Sequence, residues 1–143
     1  LLAQVTQELY PTLSARGNSA ILSMEESINI FGDAEKLARV FNNLLKNAAA
    51  YSYPDTEIKI SAQKQGKNAV IVFQNHGQTI DAAQLETIFE KFTRLDEARL
   101  SDTGGIGLGL PIAKEIVTLH GGKITAQSSS EQVAFTITLP LFS

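Results

Sequence analysis

Two asparagines four residues apart, Asn43 and Asn47, and a run of glycines, Gly104, Gly105, Gly107 and Gly109, are the residues here whose type and spacing could do chemistry. On a helix the two asparagines share a flank, beside an apolar stripe of Leu37, Val40, Phe41, Leu44 and Ala48. Asparagine is a poor helix former, so a pair at the border of a buried face needs a reason. One reason is hydrogen bonding to nearby backbone, and the helix alone favours it. The other is a pair of neutral oxygen ligands aimed into a cleft, suited to Mg²⁺ with its retained waters. The glycines pass straight into an apolar helical pattern. Glycine lets a ligand approach the backbone closely, and a helix start offers unpaired N–H groups and the positive end of a dipole. Together they make an anion site, most often for phosphate. A flexible loop before a helix would look the same. No strand leads into the run, so it is not a dinucleotide fingerprint, and no Lys-Ser or Lys-Thr follows it, so it is not a P-loop.

These residues need elements to position them. Leu2, Val5, Leu9 and Leu13 recur at helical spacing over Leu1 to Ala15, with Pro11 expected to end that helix early. Arg16-Gly17-Asn18 reads as a turn. Ala20 to Met24 and Ile28 to Phe31 flank a polar Glu25-Glu26-Ser27 and read as a hairpin. Asp33 is the N-cap candidate of the asparagine-bearing helix. After a loop from Tyr51 to Thr56, Glu57 to Gln63 alternates as a strand. Ala69 to Phe73 is a continuous apolar strand, expected to be central, running into a polar loop from Gln74 to Ile80. Loops at strand ends often carry ligand contacts. Asp81 caps a short helix reaching Phe89. Thr93 to Gly105 has no apolar period, and about a dozen such residues is long for a compact domain, which points to a functional lid or to disorder. Pro111 fits the first turn of the next helix, whose apolar face is Ile112, Ile116, Val117 and Leu119. Gly121-Gly122 ends it. Lys123 to Gln127 and Gln132 to Leu139 close the chain as two strands around Ser128-Ser129-Ser130.

The composition excludes several functions. The 143 residues suffice for a single domain, residues 1–143, with a real core. A net charge of −3 with scattered Lys and Arg argues against a nucleic-acid partner. Cysteine is absent, so there are no disulfides or thiolate metal sites, and two histidines far apart make a zinc site a poor fit. No run reaches the length of a membrane span and no signal-peptide pattern opens the chain. The chain does not start with methionine and is expected to be a piece of a longer protein.

The ordered set FNNLLKNAAAYS, FQNHGQTI, IFEKFTRLD and GGIGLGLPIAKEIV with LHGGKI resembles the N, G1, F and G2 boxes of sensor histidine kinases. The likeness covers nearly the whole chain, and KLARVFNNLLKNAAAYS with LDEARLSDTGG is most similar to the glycopeptide-responsive branch. It implies an α/β two-layer sandwich, a mixed and mostly antiparallel sheet packed on helices, the Bergerat-type ATP-binding fold. It also implies ATP and Mg²⁺ as cofactors, Asn47 on Mg²⁺, Asn43 as the first asparagine of its box, and Tyr51 near the phosphates. Asn75 would stand where an aspartate reads the adenine amino group, with Gly77, Thr79 and Ile80 following it. Phe89 and Phe92 match the F box, and Arg94 falls where an arginine nears the γ-phosphate. Thr103, Gly105, Ile106, Gly107, Leu108 and Gly109 form the phosphate side, and Leu95 to Thr103 the lid. Asn43 and Arg94 are the catalytic candidates.

Three departures stand out: Asn75 for Asp, Thr79 for the second glycine of its box, and Ala50 for a phosphate-contacting lysine. Asn75 still accepts a hydrogen bond but loses a charge-assisted part on the order of 1 kcal/mol. Thr79 is expected to let its loop hug the base less closely. Neither His76 nor His120 has the expected setting of a phosphoacceptor. The resemblance therefore implies partners: an acceptor histidine on a dimerisation hairpin before Leu1, and a response regulator. The fragment would be monomeric, the full protein a homodimer, and this part a cytoplasmic domain of a cell-membrane protein. The competing readings are a gyrase- or MutL-type ATPase, disfavoured because Asn43 replaces their glutamate base, and a nucleotide-independent interaction module.

Overall fold

The computed structural model describes residues 1–90 and 106–142, the side chains of 106–108 excepted. The chain runs α1 (Leu2–Glu8), α2 (Tyr10–Ser14), β1 (Ser19–Met24), α3 (Ala34–Tyr51), β2 (Glu57–Gln65), β3 (Asn68–His76), α4 (Ala82–Thr87), α5 (Ile106–Leu119), β4 (Lys123–Ser129) and β5 (Gln132–Pro140). The described strands form one five-stranded sheet in the order β1-β2-β3-β5-β4. β1 pairs parallel with β2, and the other pairs are antiparallel. Alternate residues of β3 and β5 are buried, as expected where one face of a sheet is covered. Ile71, Phe73, Phe135 and Ile137 from that face meet Val40, Leu44 and Leu45 of α3 and Ala113 and Val117 of α5 in one core. The result is the expected two-layer sandwich, with helices on one side of a mixed sheet.

The long helix forms as its stripe predicts, with Leu37, Val40, Phe41, Leu44 and Ala48 all buried. Asp33 caps it, accepting from the Lys36 N–H at 3.1 Å. His120 ties the two long helices together. Its Nε2 accepts from the Asp33 N–H at 3.0 Å, so the proton sits on Nδ1, which donates to the Ile116 carbonyl at 2.8 Å. Gly32 has no room for a Cβ beside the His120 ring.

Four expectations change. The first helix breaks at Leu9 into α1 and α2, and Pro11 falls at the start of the second rather than ending the first. The Ala20–Phe31 hairpin does not form. Its first half pairs with β2 from Ser19↔Glu57 to Met24↔Ala62. Ser27 turns the chain with φ 61, and Ile28 and Ile30 pack on the core while the Asn29 carbonyl accepts from Phe142 N–H at 2.8 Å. β3 continues through Asn75 to His76 instead of ending at Phe73, so Asn75 is held by the ladder opposite Val133. Pro111 lies inside α5, which starts at Ile106.

The stretch from Arg16 to Asn18 does more than turn. The Arg16 guanidinium donates to the carbonyls of Ala49, Ala50 and Ser52 at 2.9, 3.2 and 3.0 Å. Those are carbonyls that a helix end leaves unpaired, at the negative end of its dipole. Buried Asn18 then donates to the Tyr53 and Thr56 carbonyls at 2.9 and 3.0 Å. Arg16→Ala should therefore lower stability by about 1–2 kcal/mol in denaturant titration. Arg16→Lys should recover only part of it, because an ammonium is a point donor without the planar fork.

Candidate nucleotide site

The C-terminal half of α3 and the end of β3 diverge to leave a cavity. Asn47 and Tyr51 of α3 form one wall, and Asn75 of β3 with Val133 of β5 form the floor. Gln78, Thr79 and Ile80, with Gln84 and Ile88 from the α4 region, close the far side. Its volume is about 220 Å³, below the roughly 300–1,000 Å³ usual for ligand clefts.

The polar groups here are unusually buried. Asn47 is 4% exposed and Asn75 1%, and neither Nδ2 has a hydrogen-bond partner among the described residues. Two amides left incomplete on one cavity are costly without a ligand to complete them. Asn47 presents a hard, neutral oxygen donor, the kind Mg²⁺ takes alongside waters and substrate oxygens. Among the described residues no group of three His, Cys, Asp or Glu could cage a metal, so an ion held here would depend on that amide and on the ligand's own oxygens. To that extent the residues fit Mg²⁺.

Gly77 supports the floor. A Cβ there would collide with the Tyr51 carbonyl and stand 3.1 Å from Asn75 Nδ2. The following loop is fastened to the β4–β5 turn. The Glu131 N–H donates to Thr79 Oγ1 at 2.8 Å, Gly77 N–H to the Glu131 carbonyl at 3.0 Å, and Ile80 N–H to Ser128 Oγ at 2.9 Å. Ser130 and Glu131 reach these partners with φ of 51 and 59, the left-handed pair that a type I′ hairpin requires. Thr79 thus has a structural task that a glycine could not perform. Thr79→Val should cost about 1 kcal/mol of stability and loosen ligand binding a few-fold, while Thr79→Ser should keep both. Equal melting temperatures and affinities for all three proteins would remove the clasp from this account.

Tyr53 completes the fastening. Its hydroxyl donates to Glu131 Oε1 at 2.9 Å. That hydrogen bond, then burial, then the carboxylate's charge raise its pKa above the usual 10. A raised value favours the neutral phenol, so this contact is fully present below pH 10 and is lost only as pH climbs past the raised value.

The expected site residues divide. Asn47, Tyr51, Asn75, Thr79 and Ile80 line the cavity and Gly77 lies beside Asn75. Asn43 does not line it: its Nδ2 donates to the Gly109 carbonyl at 3.2 Å, pinning α3 to α5. Phe89 stands edge-on to Phe135, centroids 6.2 Å apart, as a packing residue. Ile106, Gly107 and Leu108 open α5, their side chains undescribed. Phe92, Arg94, Thr103, Gly105 and the lid from 95 to 103 lie outside the described residues. The sequence reading missed Gln84, Ile88, Val133, Ser128 and Glu131. Gln84 and Ile88 are four apart, a helical spacing that could have revealed them, whereas the Glu131 contacts depend on the hairpin's backbone.

A mixed sheet under a helical layer, with a cavity floored by buried amides between the layers, defines an α/β sandwich of the nucleotide-binding kind. The pattern of the histidine kinase-, DNA gyrase B- and HSP90-like ATPases matches residues 32–143, and the chain belongs to that family. It is 52% identical over 140 residues to the sensor protein VanS of Enterococcus faecium, covering 98% of this chain and 36% of that protein. The histidine-protein kinase BaeS of Escherichia coli K12 is 36% identical, over 90% of this chain and 28% of its own. The chain thus spans about a third of the curated relatives it matches. Among solved structures, the catalytic domain of histidine kinase ThkA superimposes with TM-score 0.86 at 24% identity, over 97% of this chain and 89% of that one, a likeness of fold. The mycobacterial sensor histidine kinase MprB gives 0.83 at 25% identity, over 98% and 91%.

Proposed function

We propose that residues 1–143 are one ATP-binding domain that takes Mg²⁺ with ATP and serves as the catalytic half of a sensor histidine kinase, passing the γ-phosphoryl group to a histidine elsewhere in the protein. The observation that carries this reading is the pair of buried, incomplete amides, Asn47 and Asn75, on the wall and the floor of one cavity. Asn75 reads the base from the rigid end of β3, Asn47 and Tyr51 lie toward the phosphates, and the start of α5 offers its N–H groups to anionic oxygens. Bound Mg²⁺ would neutralise charge on those phosphates. We place Gly105, Gly107 and Gly109 on the phosphate side and Arg94 near the γ-phosphate.

Transfer to a histidine, rather than hydrolysis, is supported by Asn43. An amide is no general base, and this one is spent on the Gly109 carbonyl. Neither histidine of this chain suits the acceptor role. Both ring nitrogens of His120 are engaged, and strand alternation turns His76 to the sheet face opposite Asn75. The acceptor histidine, a response regulator and a homodimeric parent protein belong to this proposal, supported by relatives named as a sensor protein and a signal transduction histidine-protein kinase. No described helix is long and apolar enough to cross a membrane, and we assign the domain to the cytoplasmic side of a membrane-bound parent. Calorimetric titration with ATP, with and without Mg²⁺, tests the core of the proposal. Mg²⁺-dependent binding is the expected result, and silence at high micromolar ATP would favour an interaction module. Steady phosphate release by the chain alone would favour an ATPase.

A further inference from the structure

Asn75 is buried on β3, lines the cavity and has an Nδ2 without a partner among the described residues. The polar groups around it do not complete the amide. The acceptors nearby are committed elsewhere: the Thr79 hydroxyl accepts from the Glu131 N–H, the Glu131 carbonyl from the Gly77 N–H and the His76 carbonyl from the Tyr53 N–H. The missing partner is a ligand atom or a bound water, and no hydrogen bond to Nδ2 from the described residues fixes which end of the amide faces the cavity. An amide carries one acceptor and two donor hydrogens, and its two ends exchange by a half-turn about the last side-chain bond.

We infer that this cavity accepts 6-oxopurine as well as 6-aminopurine nucleoside triphosphates, with Asn75 as the residue that sets the tolerance. The inference rests on reading the cavity as a nucleotide site. One end of the amide reaches the cavity, since Nδ2 is fully buried in the orientation observed. Against a 6-aminopurine, Oδ1 accepts from the amino group. Against a 6-oxopurine the amide turns and Nδ2 donates to O6. Each pairing is a single neutral hydrogen bond. A carboxylate at this position could make only the first, because it has no proton to give O6 and its charge would repel that oxygen. The clasp from Glu131 holds the loop beside Asn75 in place for either base.

The test uses the magnesium complexes of ATP and of inosine triphosphate, which presents O6 and N1–H without the 2-amino group of guanine. Calorimetry on the unmodified chain should place the two affinities within about tenfold of each other. Asn75→Asp should bind ATP at least as tightly as the parent, since the acceptor gains a charge, and should bind inosine triphosphate about 30-fold or more below its own ATP affinity. Retained ATP binding shows that the variant is folded. Asn75→Ala should weaken both nucleotides alike, which keeps the comparison open should the aspartate variant fail to fold. A preference for ATP above 100-fold in the parent overturns the inference, as does an aspartate variant that keeps inosine triphosphate. If the parent binds no ATP at all, the nucleotide reading itself fails and takes this inference with it.

Discussion

Gly77→Ala is expected to lose nucleotide binding and much of the local stability of the site. The added methyl would occupy the space of the Tyr51 carbonyl, a backbone atom with little freedom to move. That carbonyl belongs to the last turn of α3, where the Ser52↔Gly77 bridge, the 2.8 Å bond from Tyr53 N–H to the His76 carbonyl and the Arg16 contacts all hold the chain. On its other side the methyl would press on Asn75 Nδ2. Overpacking of this kind costs about 1–3 kcal/mol, and here it sits at the junction of the wall that holds Asn47 and the floor that holds Asn75. A drop of about 3–10 °C in melting temperature is expected, together with the disappearance of ATP-binding heat below the melt. Wild-type melting and unchanged ATP affinity would show that the junction yields freely, and would dissolve the argument that glycine is required there.

Most of the fold was readable because its signals are local. The stripe from Leu37 to Ala48, the Asp33 cap, the alternation in β2 and the apolar run in β3 each follow from side chains a few residues apart. The pairing of β1 was not readable. Ala20 to Met24 and Ile28 to Phe31 are both short and apolar, and only the parallel seat beside β2 separates them. The two asparagines teach the same lesson at the site. Four helical residues turn about 400°, so Asn43 and Asn47 point in directions about 40° apart. One meets Gly109 of α5 and the other faces the cavity. Sequence spacing put them on one flank, but the neighbour on that flank decided their roles. The clasp on Thr79 was hidden for a related reason. It depends on left-handed backbone at Ser130 and Glu131, and neither is a residue type that announces such a turn.

Asn47→Ala should weaken ATP binding by about 100-fold in the presence of Mg²⁺ and hardly change it in its absence. Stability should be affected little, because Nδ2 has no partner to lose among the described residues and removing an unsatisfied buried donor can be neutral or favourable. This combination separates a ligand-facing amide from a structural one. A structural asparagine would lower the melting temperature and weaken binding equally with and without the ion. Asn47→Asp sharpens the contrast. A buried carboxylate beside a triphosphate is repulsive unless a divalent cation lies between them. That variant should therefore bind ATP only when Mg²⁺ is supplied, with free Mg²⁺ alone raising its melting temperature. If the alanine variant binds Mg²⁺-ATP like the parent, the ion is held without Asn47 and the assignment of this side chain to the metal is wrong. If the aspartate variant binds ATP equally well with and without Mg²⁺, the amide does not face the phosphates.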